Sequence, residues 1–211
     1  MKTIDDSTYW NQYYQSGVCV TEPSLFAQYV AEQVKLGEKL VDLGCGNGRD
    51  AIYFAERGLE VTAIDLSKEA ITTLQNKNLP NICFQCGDVA NPAFHKPDSY
   101  HNAYSRFSLH AMTEEHACLL LQSVFRSLQP GGQFFIEVRS VHDPLFGKGE
   151  EVGRNSWRYD SHYRRFIVLE ELVEELFKVG FHVTYAEENT GFAPFRQDDP
   201  PVIRAVAVKL E

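Results

Sequence analysis

The sequence predicts an α/β fold in which a mostly parallel β-sheet is covered by helices. Short apolar runs alternate with amphipathic segments, and glycines stand next to the ends of the predicted helices. No repeat, low-complexity tract or linker divides the 211 residues. Because a chain of this length suits one well-buried domain, we expect a single domain over residues 1–211.

The alternation of patterns gives the order of the elements. Strands are predicted at Lys39–Leu43, Glu60–Asp65, 81–86, 101–105, 132–138, 181–187 and Val202–Lys209. Helices are predicted at Arg49–Glu56, 68–77, 114–128 and Leu169–Val179.

Two regions lie outside this alternation. Residues 1–36 include a helical segment at 7–34 that carries Tyr9, Trp10, Tyr13 and Tyr14. Residues 140–166 form a long insertion that is rich in Gly, Arg, His and aromatic residues. Long insertions inside a compact domain are usually functional loops or lids, so we expect both regions to cover the ends of the strands.

Composition and charge bound the partners. The formal net charge of −9 argues against a nucleic-acid substrate, which usually needs a basic surface. No apolar stretch approaches the roughly 18 to 20 residues of a membrane span, and the first residues lack an apolar signal core. We expect a cytoplasmic protein without a membrane partner, and the sequence does not indicate an oligomeric state.

The cysteines indicate neither a disulfide framework nor a metal site. Their number is odd, and the Cys83–Cys86 pair has CxxC spacing without a second pair to complete a tetrahedral zinc set. Since this pair falls in an apolar segment, we interpret it as part of the core and expect no metal.

The first motif is a glycine loop between a strand and a helix. Residues 41–48 read Val-Asp-Leu-Gly-Cys-Gly-Asn-Gly. Glycines allow a tight turn and a close approach of a ligand to the backbone, and the following helix offers unpaired N–H groups. A dinucleotide site has Gly-x-Gly-x-x-Gly spacing, whereas the third glycine comes one residue earlier here.

Three further segments follow in order. Asp65 ends an apolar strand about twenty residues after the loop, where a carboxylate can accept hydrogen bonds from ribose hydroxyls. The alternative is that Asp65 only caps the next helix, although Ser67 is available for that role. Asp88 and Val89 follow the third strand, and Pro130-Gly131-Gly132 leads into the fifth.

This ordered set resembles class I S-adenosylmethionine-dependent methyltransferases. The resemblance implies a Rossmann-like three-layer sandwich whose seven-stranded, mostly parallel sheet ends in an antiparallel hairpin. It implies S-adenosylmethionine as the cofactor, with the Asp88 side chain and the next backbone N–H at the adenine and Tyr14 in a lid. The cofactor-binding residues that we predict are Asp42, Gly44, Cys45, Gly46, Asp65, Leu66, Asp88, Val89, Ser105 and Tyr14.

The region after the fourth strand is predicted to face the methyl acceptor. Arg106 and His110 are the candidate catalytic residues. Burying the Arg106 guanidinium needs an anionic partner, which is Asp65, Asp88, Glu137 or the substrate. His110 is equally consistent with a helix-start or surface histidine. Tyr9 and Trp10 are better explained by helix packing, and Tyr13 and Tyr14 by a lid.

Arginines gathered near the strand ends suggest an anionic acceptor, because guanidinium groups match phosphate and carboxylate oxygens. The alternative is that they pair with Asp143, Glu150, Glu151 and Asp160 of the insertion. The substrate-binding residues that we predict are Tyr13, Arg106, His110, Arg139, His162, Tyr163, Arg164 and Arg165.

A finer resemblance involves residues 104–107, 136–140 and 162–166, which are similar to methyltransferases of bacterial capsule and lipopolysaccharide clusters. It implies a phosphorylated cell-envelope polysaccharide precursor as the acceptor. The sequence thus predicts methyl transfer to an oxygen of a small anionic acceptor that bears a phosphoryl or carboxylate group. The alternatives are a methyltransferase that detoxifies thiols or metalloids, a non-catalytic module that binds S-adenosylmethionine, and a dinucleotide oxidoreductase.

Overall fold

The computed structural model describes residues 7–15, 20–91, 93 and 96–210. Within them, ten strands form one seven-stranded and one three-stranded sheet. The strands are β1 (Lys39–Leu43), β2 (Glu60–Asp65), β3 (Ile82–Cys86), β4 (Tyr100–Arg106), β5 (Leu128–Arg139), β6 (Glu150–Gly153), β7 (Ser156–Tyr159), β8 (His162–Arg165), β9 (Phe181–Asn189) and β10 (Val202–Lys209).

The large sheet has the order β3-β2-β1-β4-β5-β10-β9. Strands β1 to β5 run parallel, and β10 is antiparallel to both β5 and β9. The Rossmann-like fold and the antiparallel hairpin are therefore confirmed. The carboxyl ends of the parallel strands meet at one edge, which we call the carboxyl edge, and this is where ligands bind in such sheets.

Helices pack on both faces of this sheet. They are α1 (Ser7–Gln15), α2 (Leu25–Ala31), α3 (Arg49–Glu56), α4 (Lys68–Gln75), α5 (Glu114–Ser127) and α6 (Leu169–Val179). One buried cluster joins α5 and α6 to the sheet, and the other joins α2, α3 and α4 to the opposite face. Among the helices of the described residues, none has the length and apolar character needed to cross a bilayer.

Side chains at the helix ends explain where several helices begin and end. The Ser67 hydroxyl accepts a hydrogen bond from the Ala70 N–H at 3.2 Å and caps α4. Thr113 caps α5 through the His116 N–H at 3.3 Å. Helix α6 stops at Gly180, whose φ of 112° suits glycine.

Some predicted boundaries differ from the structure. Residues 7–34 form two helices, α1 and α2, rather than one, and residues 16–19 between them lie outside the described part. Strand β5 begins at Leu128, and its pairing with β4 jumps between Leu128 and Gln133, so the Pro130–Gly132 turn lies inside the strand as a bulge. The insertion at 140–166, expected as a loop, contains the sheet β6-β7-β8.

Candidate active site

The glycine loop lies at the carboxyl edge between β1 and α3. The Gly44 and Cys45 N–H groups donate to the Ile64 carbonyl at 2.8 and 3.0 Å. The Gly46 N–H donates to Asp65 Oδ2 at 2.8 Å. Backbone donors of the loop are thus tied to the end of β2, which holds the two motifs in one site.

Two loop glycines are required by their surroundings. Gly44 has φ +88°, and a Cβ there would lie 2.2 Å from the Ser108 hydroxyl oxygen. Gly46 has φ +56°, and a Cβ there would lie 2.3 Å from the Tyr14 hydroxyl oxygen. The backbone at both positions is therefore shaped for close approach.

Asp65 lies beside this loop with both carboxylate oxygens oriented. Besides the Gly46 N–H, it accepts the Ser67 N–H on Oδ1 at 2.8 Å. The cap of α4 is Ser67, so helix capping alone does not account for Asp65. Each carboxylate oxygen retains a further acceptor position for a ribose hydroxyl. Leu66, which comes next, is an exposed apolar side chain at the same edge.

The buried carboxylates of Asp42, Asp50 and Asp65 make the surroundings of the glycine loop acidic. Burial raises the pKa of Asp42 well above its ordinary value, and the charges of Asp50 and Asp65 raise it further. Burial also raises the pKa of Asp65. Asp50 is held by the Ser24 and Tyr104 hydroxyls at 2.8 and 2.7 Å. Such a group of carboxylates suits a cationic ligand.

Asp88 follows β3 on the far side of the loop. Its Oδ1 accepts the Ala90 N–H at 2.9 Å, and its Oδ2 lies 2.9 Å from His116 Nε2. Both side chains of this pair are more than a third exposed, and Val89 beside them is buried. His116, which lies in the first turn of α5, is not among the residues predicted from the sequence.

Ser105 and Arg106 end β4 in the middle of the edge. Ser105 is fully buried, and among the described residues its hydroxyl has no hydrogen-bond partner. Arg106 Nε donates to Glu137 Oε1 at 2.8 Å, and the guanidinium carbon lies 4.2 Å from the centre of the Phe107 ring. Of the partners considered for Arg106, the structure selects Glu137.

Four predicted acceptor residues come together beyond Arg106. His110 lies in a buried 3-10 turn, Leu109–Ala111, which packs against β8. Its Nδ1 accepts the Arg139 N–H at 3.4 Å. His162 and Arg164 lie on the same face of β8, and the Arg164 charge acts on His110. His110 is therefore not a surface histidine.

The two histidines are held in the neutral form. Burial lowers the pKa of His110 well below its ordinary value, and the charges of Arg139, Arg164 and Arg106 lower it further. Burial, Arg164 and Arg139 lower the pKa of His162 to about 3. His162 Nδ1 is buried, and within the described part of the chain it has no hydrogen-bond partner.

The structure places Tyr163 and Arg165 elsewhere. They lie on the opposite face of β8, where the Tyr163 hydroxyl is 3.0 Å from Ser156 Oγ and Arg165 is 3.9 Å from Glu175. Because side chains alternate along a strand, these two residues point away when His162 and Arg164 face the edge. Tyr163 and Arg165 are therefore not part of the group that His110, Arg139, His162 and Arg164 form.

Pairing with carboxylates of the insertion, the alternative for the arginines, holds for Arg139. Arg139 forms an ion pair with Asp143. Arg154 pairs with Glu171 of α6 rather than with an insertion carboxylate. Arg164 Nη1 donates to the Tyr159 carbonyl at 3.2 Å. Among the described residues, no carboxylate of the insertion lies at hydrogen-bond distance from Arg164.

Helix α1 reaches from the glycine loop to strand β8. The Tyr9 ring stacks on His162 at 4.6 Å between ring centres, and Trp10 meets the same ring edge-on at 4.9 Å. The Ser67 hydroxyl donates to Asn11 Oδ1 at 2.8 Å, and Tyr14 lies over Gly46. Tyr9 and Trp10 thus pack on the insertion rather than on the sheet. Tyr13 is the exposed member of this aromatic group.

The cysteines form no site in the described residues. Cys83 and Cys86 are exposed, so their interpretation as core residues is wrong, and on β3 they point to opposite faces. Cys45 is buried in the loop, and Cys19 lies outside the described part. Within that part, no three His, Cys, Asp or Glu side chains are grouped as a metal site requires.

Known proteins share this sequence pattern and fold. Residues 40–132 match the family model described as a methyltransferase domain. An uncharacterised methyltransferase of Synechocystis is 30% identical over 98 residues, which are 46% of this chain and 45% of the relative. Trans-aconitate 2-methyltransferase of Deinococcus radiodurans is 28% identical over 138 residues, which are 64% of this chain and 51% of the relative. These matches span about half the length of the curated relatives.

The fold comparison extends over the whole chain. The crystal structure of 1,6-didemethyltoxoflavin-N1-methyltransferase of Burkholderia thailandensis, with S-adenosylhomocysteine bound, has a TM-score of 0.76 and 20% identity. The similarity covers 99% of this chain and 88% of that one. The chain therefore has the fold of class I S-adenosylmethionine-dependent methyltransferases, and its residues 40–132 match a methyltransferase domain. S-adenosylmethionine is the cofactor of this class.

Proposed function

We propose that the protein transfers a methyl group from S-adenosylmethionine to an oxygen of a small anionic acceptor. The observation that carries this proposal is the division of the carboxyl edge into two halves of opposite charge. Asp42, Asp50 and Asp65 lie under the glycine loop, whereas Arg139, Arg164 and the two histidines lie beyond Arg106. A cationic donor and an anionic acceptor fit these halves.

On the donor side, the predicted cofactor residues fit the cofactor chemically. Asp65 is oriented for the ribose hydroxyls, and Asp88 with the Val89 backbone for the adenine. Gly44, Cys45 and Gly46 supply the close backbone approach, and Leu66 supplies an apolar cover. The Ser105 hydroxyl, which has no hydrogen-bond partner among the described residues, and the Asp42 carboxyl group suit the methionine end.

The bound cofactor would supply a methyl group on a sulfonium, so that an acceptor oxygen bonds to the methyl carbon while the carbon–sulfur bond breaks and the sulfur leaves as the neutral thioether of S-adenosylhomocysteine. The chain holds this acceptor: Arg139 and Arg164 bind its anionic group, and Arg106 stands at the border of the two halves. His110 Nδ1 accepts the Arg139 N–H, so the neutral ring presents its Nε2–H as a donor. Phosphate and carboxylate oxygens are already ionised, so no general base is needed.

Helix α1 then excludes water from the reacting groups. Tyr9 and Trp10 cover His162, Tyr14 covers Gly46, and Tyr13 is exposed to solvent. Excluding water strengthens the contact between the arginines and the anion.

One relative is named for an acceptor of this kind. The Deinococcus radiodurans protein is named for trans-aconitate, which is a carboxylate. A phosphorylated polysaccharide precursor falls in the same chemical class, but none of the relatives named above carries such a name. Thiol or metalloid acceptors favour neutral, apolar walls, which differ from this group of arginines and histidines.

The test is radiolabelled methyl transfer from S-adenosylmethionine to a panel of carboxylates, sugar phosphates, thiols and neutral alcohols. We expect transfer to a carboxylate or phosphate, with its KM raised about tenfold or more in Arg139→Gln and Arg164→Gln. Arg154→Gln, which removes an arginine paired with α6, is the matched control and should leave KM unchanged. Transfer to thiols alone, or unchanged KM in both arginine variants, would refute the anionic acceptor.

A further inference from the structure

A second arginine, Arg204, lies behind Arg106 and pairs with the same carboxylate. Arg204 lies on β10, directly opposite Glu137 in the strand register, as Arg106 does on the other side. Its Nε donates to Glu137 Oε2 at 2.8 Å, while Arg106 Nε donates to Oε1 at 2.8 Å. One carboxylate therefore holds two guanidinium groups in the centre of the sheet.

This triad is buried to different degrees. Glu137 is fully buried, Arg204 is 8% exposed and Arg106 is 19% exposed. Arg106 is thus the member that reaches the site, and Arg204 is the member behind it. Buried ion pairs of this kind often contribute little stability compared with apolar residues of similar size. Stability alone therefore does not account for the triad.

Arg204 is itself firmly held. Its Nη2 donates to the Phe192 carbonyl at 2.8 Å, and its guanidinium carbon lies 4.3 Å from the centre of the Phe192 ring. Phe26 and Tyr29 of α2 pack around the same group at 5.2 and 5.6 Å. Phe192 belongs to the loop at 190–201, which leaves β9 and enters β10 at the carboxyl edge. The orientation of Arg204 is therefore fixed by three elements.

Arg106 stands at the border between the two charged halves of the edge. Its charge acts on Asp42 on the cofactor side and on His110 on the acceptor side. It shares the Phe107 ring with Arg139, whose guanidinium carbon lies 5.5 Å from the ring centre. A small rotation of the Arg106 guanidinium would move its charge from one half to the other.

We propose that Arg204 is a positioning residue that, through Glu137, fixes the Arg106 guanidinium toward the anionic acceptor. Glu137 Oε2 is engaged by Arg204, so only Oε1 is left for Arg106, which binds through Nε alone. The contact with Glu137 thus uses neither of the two terminal nitrogens of Arg106. Without Arg204, Glu137 can take Arg106 through two nitrogens and turn the fork away. The inference rests on the proposed function, because it assumes that the acceptor is anionic.

The experiment compares Arg204→Met and Arg204→Lys with the exposed control Arg126→Met. S-adenosylhomocysteine affinity is measured by calorimetry, and the affinity for inorganic phosphate is measured with S-adenosylhomocysteine saturating. The Arg106 Nε–H signal, assigned by its loss in Arg106→Lys, is followed by NMR for its shift and its exchange with water.

We expect Arg204→Met to bind phosphate about tenfold more weakly while S-adenosylhomocysteine affinity changes less than twofold. The Arg106 Nε–H signal should shift and exchange faster. Arg204→Lys keeps the cation beside Glu137 but not the two-nitrogen fork, so its phosphate affinity should lie in between. If Arg204→Met does not fold, Arg204→Lys alone tests the positioning role. Arg126→Met should match the unaltered protein throughout.

An unchanged Arg106 Nε–H signal in both Arg204 variants overturns the positioning role. A loss of S-adenosylhomocysteine affinity with unchanged phosphate affinity overturns it as well, because Arg106 would then serve the cofactor. If the unaltered protein binds no phosphate, the anionic site of the proposed function fails, and the NMR signal alone decides the role of Arg204.

Discussion

Gly46 is the residue at which the cofactor loop, Asp65 and helix α1 meet. Its N–H donates to Asp65, and its missing side chain leaves room for the Tyr14 hydroxyl. A substitution there has two effects that can be separated: strain in the left-handed backbone and collision with α1.

We predict that Gly46→Ala weakens S-adenosylhomocysteine binding by about tenfold or more and lowers Tm. The strain alone costs about 1 kcal/mol, and the collision with Tyr14 adds to it. Gly131→Ala is the control, because Gly131 has φ +79° but open space around its Cβ position. Calorimetry measures the affinity for S-adenosylhomocysteine, and thermal unfolding measures Tm, in both variants. Equal losses in the two variants would contradict the role of the Tyr14 contact.

Asp42 lies deeper under the same loop, and its environment alters its protonation. Burial, followed by the charges of Asp50 and Asp65, raises its pKa well above the ordinary value of 3.8. As pH rises through this raised pKa, Asp42 loses its proton and gains a negative charge. S-adenosylmethionine carries one positive charge more than S-adenosylhomocysteine, so ionisation favours the former.

We therefore predict that the preference for S-adenosylmethionine over S-adenosylhomocysteine grows roughly fivefold as Asp42 ionises. Dissociation constants for both ligands, measured across the pH range in which the protein stays folded, give this ratio. Asp42→Asn should show a flat ratio, whereas Glu60→Gln, which alters an exposed carboxylate, should follow the unaltered protein. A flat ratio in the unaltered protein would rule out the proposed contact between Asp42 and the methionine end.

At the scale of single residues, local pattern predicted the loop side better than the acceptor side. Asp42 to Gly48 and Asp65 are close in sequence to the strand ends that position them, so their placement follows from the order of elements. Arg204 is 67 residues from Glu137, and only the register of β5 and β10 brings them together. The one available signal was a charged residue inside the apolar run Val202–Val206.

Among the elements, the insertion sheet contributes most to the proposed acceptor site. Strand β8 presents His162 and Arg164 to the edge, and the sheet is held by an aromatic group. The Trp157 ring lies 4.3 Å from Phe146 and 5.8 Å from Phe166, between ring centres. This packing fixes β7 and therefore β8.

We predict that Trp157→Ala loosens the insertion by about 2 kcal/mol without unfolding the large sheet. Amide exchange at residues 150–165 should accelerate, and phosphate affinity should fall, while S-adenosylhomocysteine affinity stays within twofold. Val152→Ala on β6 is the matched control, since Val152 is exposed. If amide exchange changes equally across the α5–α6 face, the insertion is not an independent unit.

Hydrophobic period predicted the central strands and the helices α3, α5 and α6 to within a few residues, because each buries a regular apolar pattern. It failed for β6, β7 and β8. These strands are four residues each, and β6 is exposed throughout, so no apolar alternation marks them. Tertiary contacts with the 3-10 turn and α1 stabilise them, and a local pattern does not contain such contacts.

On the scale of the whole molecule, a chain of net charge −9 concentrates positive charge on the acceptor half of one edge. His110 and His162 are buried among these arginines and are neutral in the folded state. The unfolded chain, in contrast, protonates both near the ordinary pKa of 6.5. Folding stability must therefore depend on pH through these histidines.

The sign follows from proton uptake. The folded-state pKa of His162 is about 3, below the unfolded value of 6.5, so the unfolded state binds more protons between these values. The contribution of His162 to the free energy of unfolding is therefore intact above pH 6.5 and is lost as pH falls toward 3. The raised pKa values of Asp42 and Asp65 act in the opposite direction, so His162 must be isolated by substitution.

We predict that, between pH 7.5 and pH 5, the unaltered protein loses about 2 kcal/mol of unfolding free energy relative to His162→Phe. Phenylalanine keeps the stacking with Tyr9 and Trp10 but takes up no proton, so the difference reports His162 alone. Urea unfolding at the two pH values measures it, with His182→Gln as the exposed control. If the two proteins lose equal stability, His162 is protonated in the folded state. The acceptor half would then carry a further positive charge at pH 5.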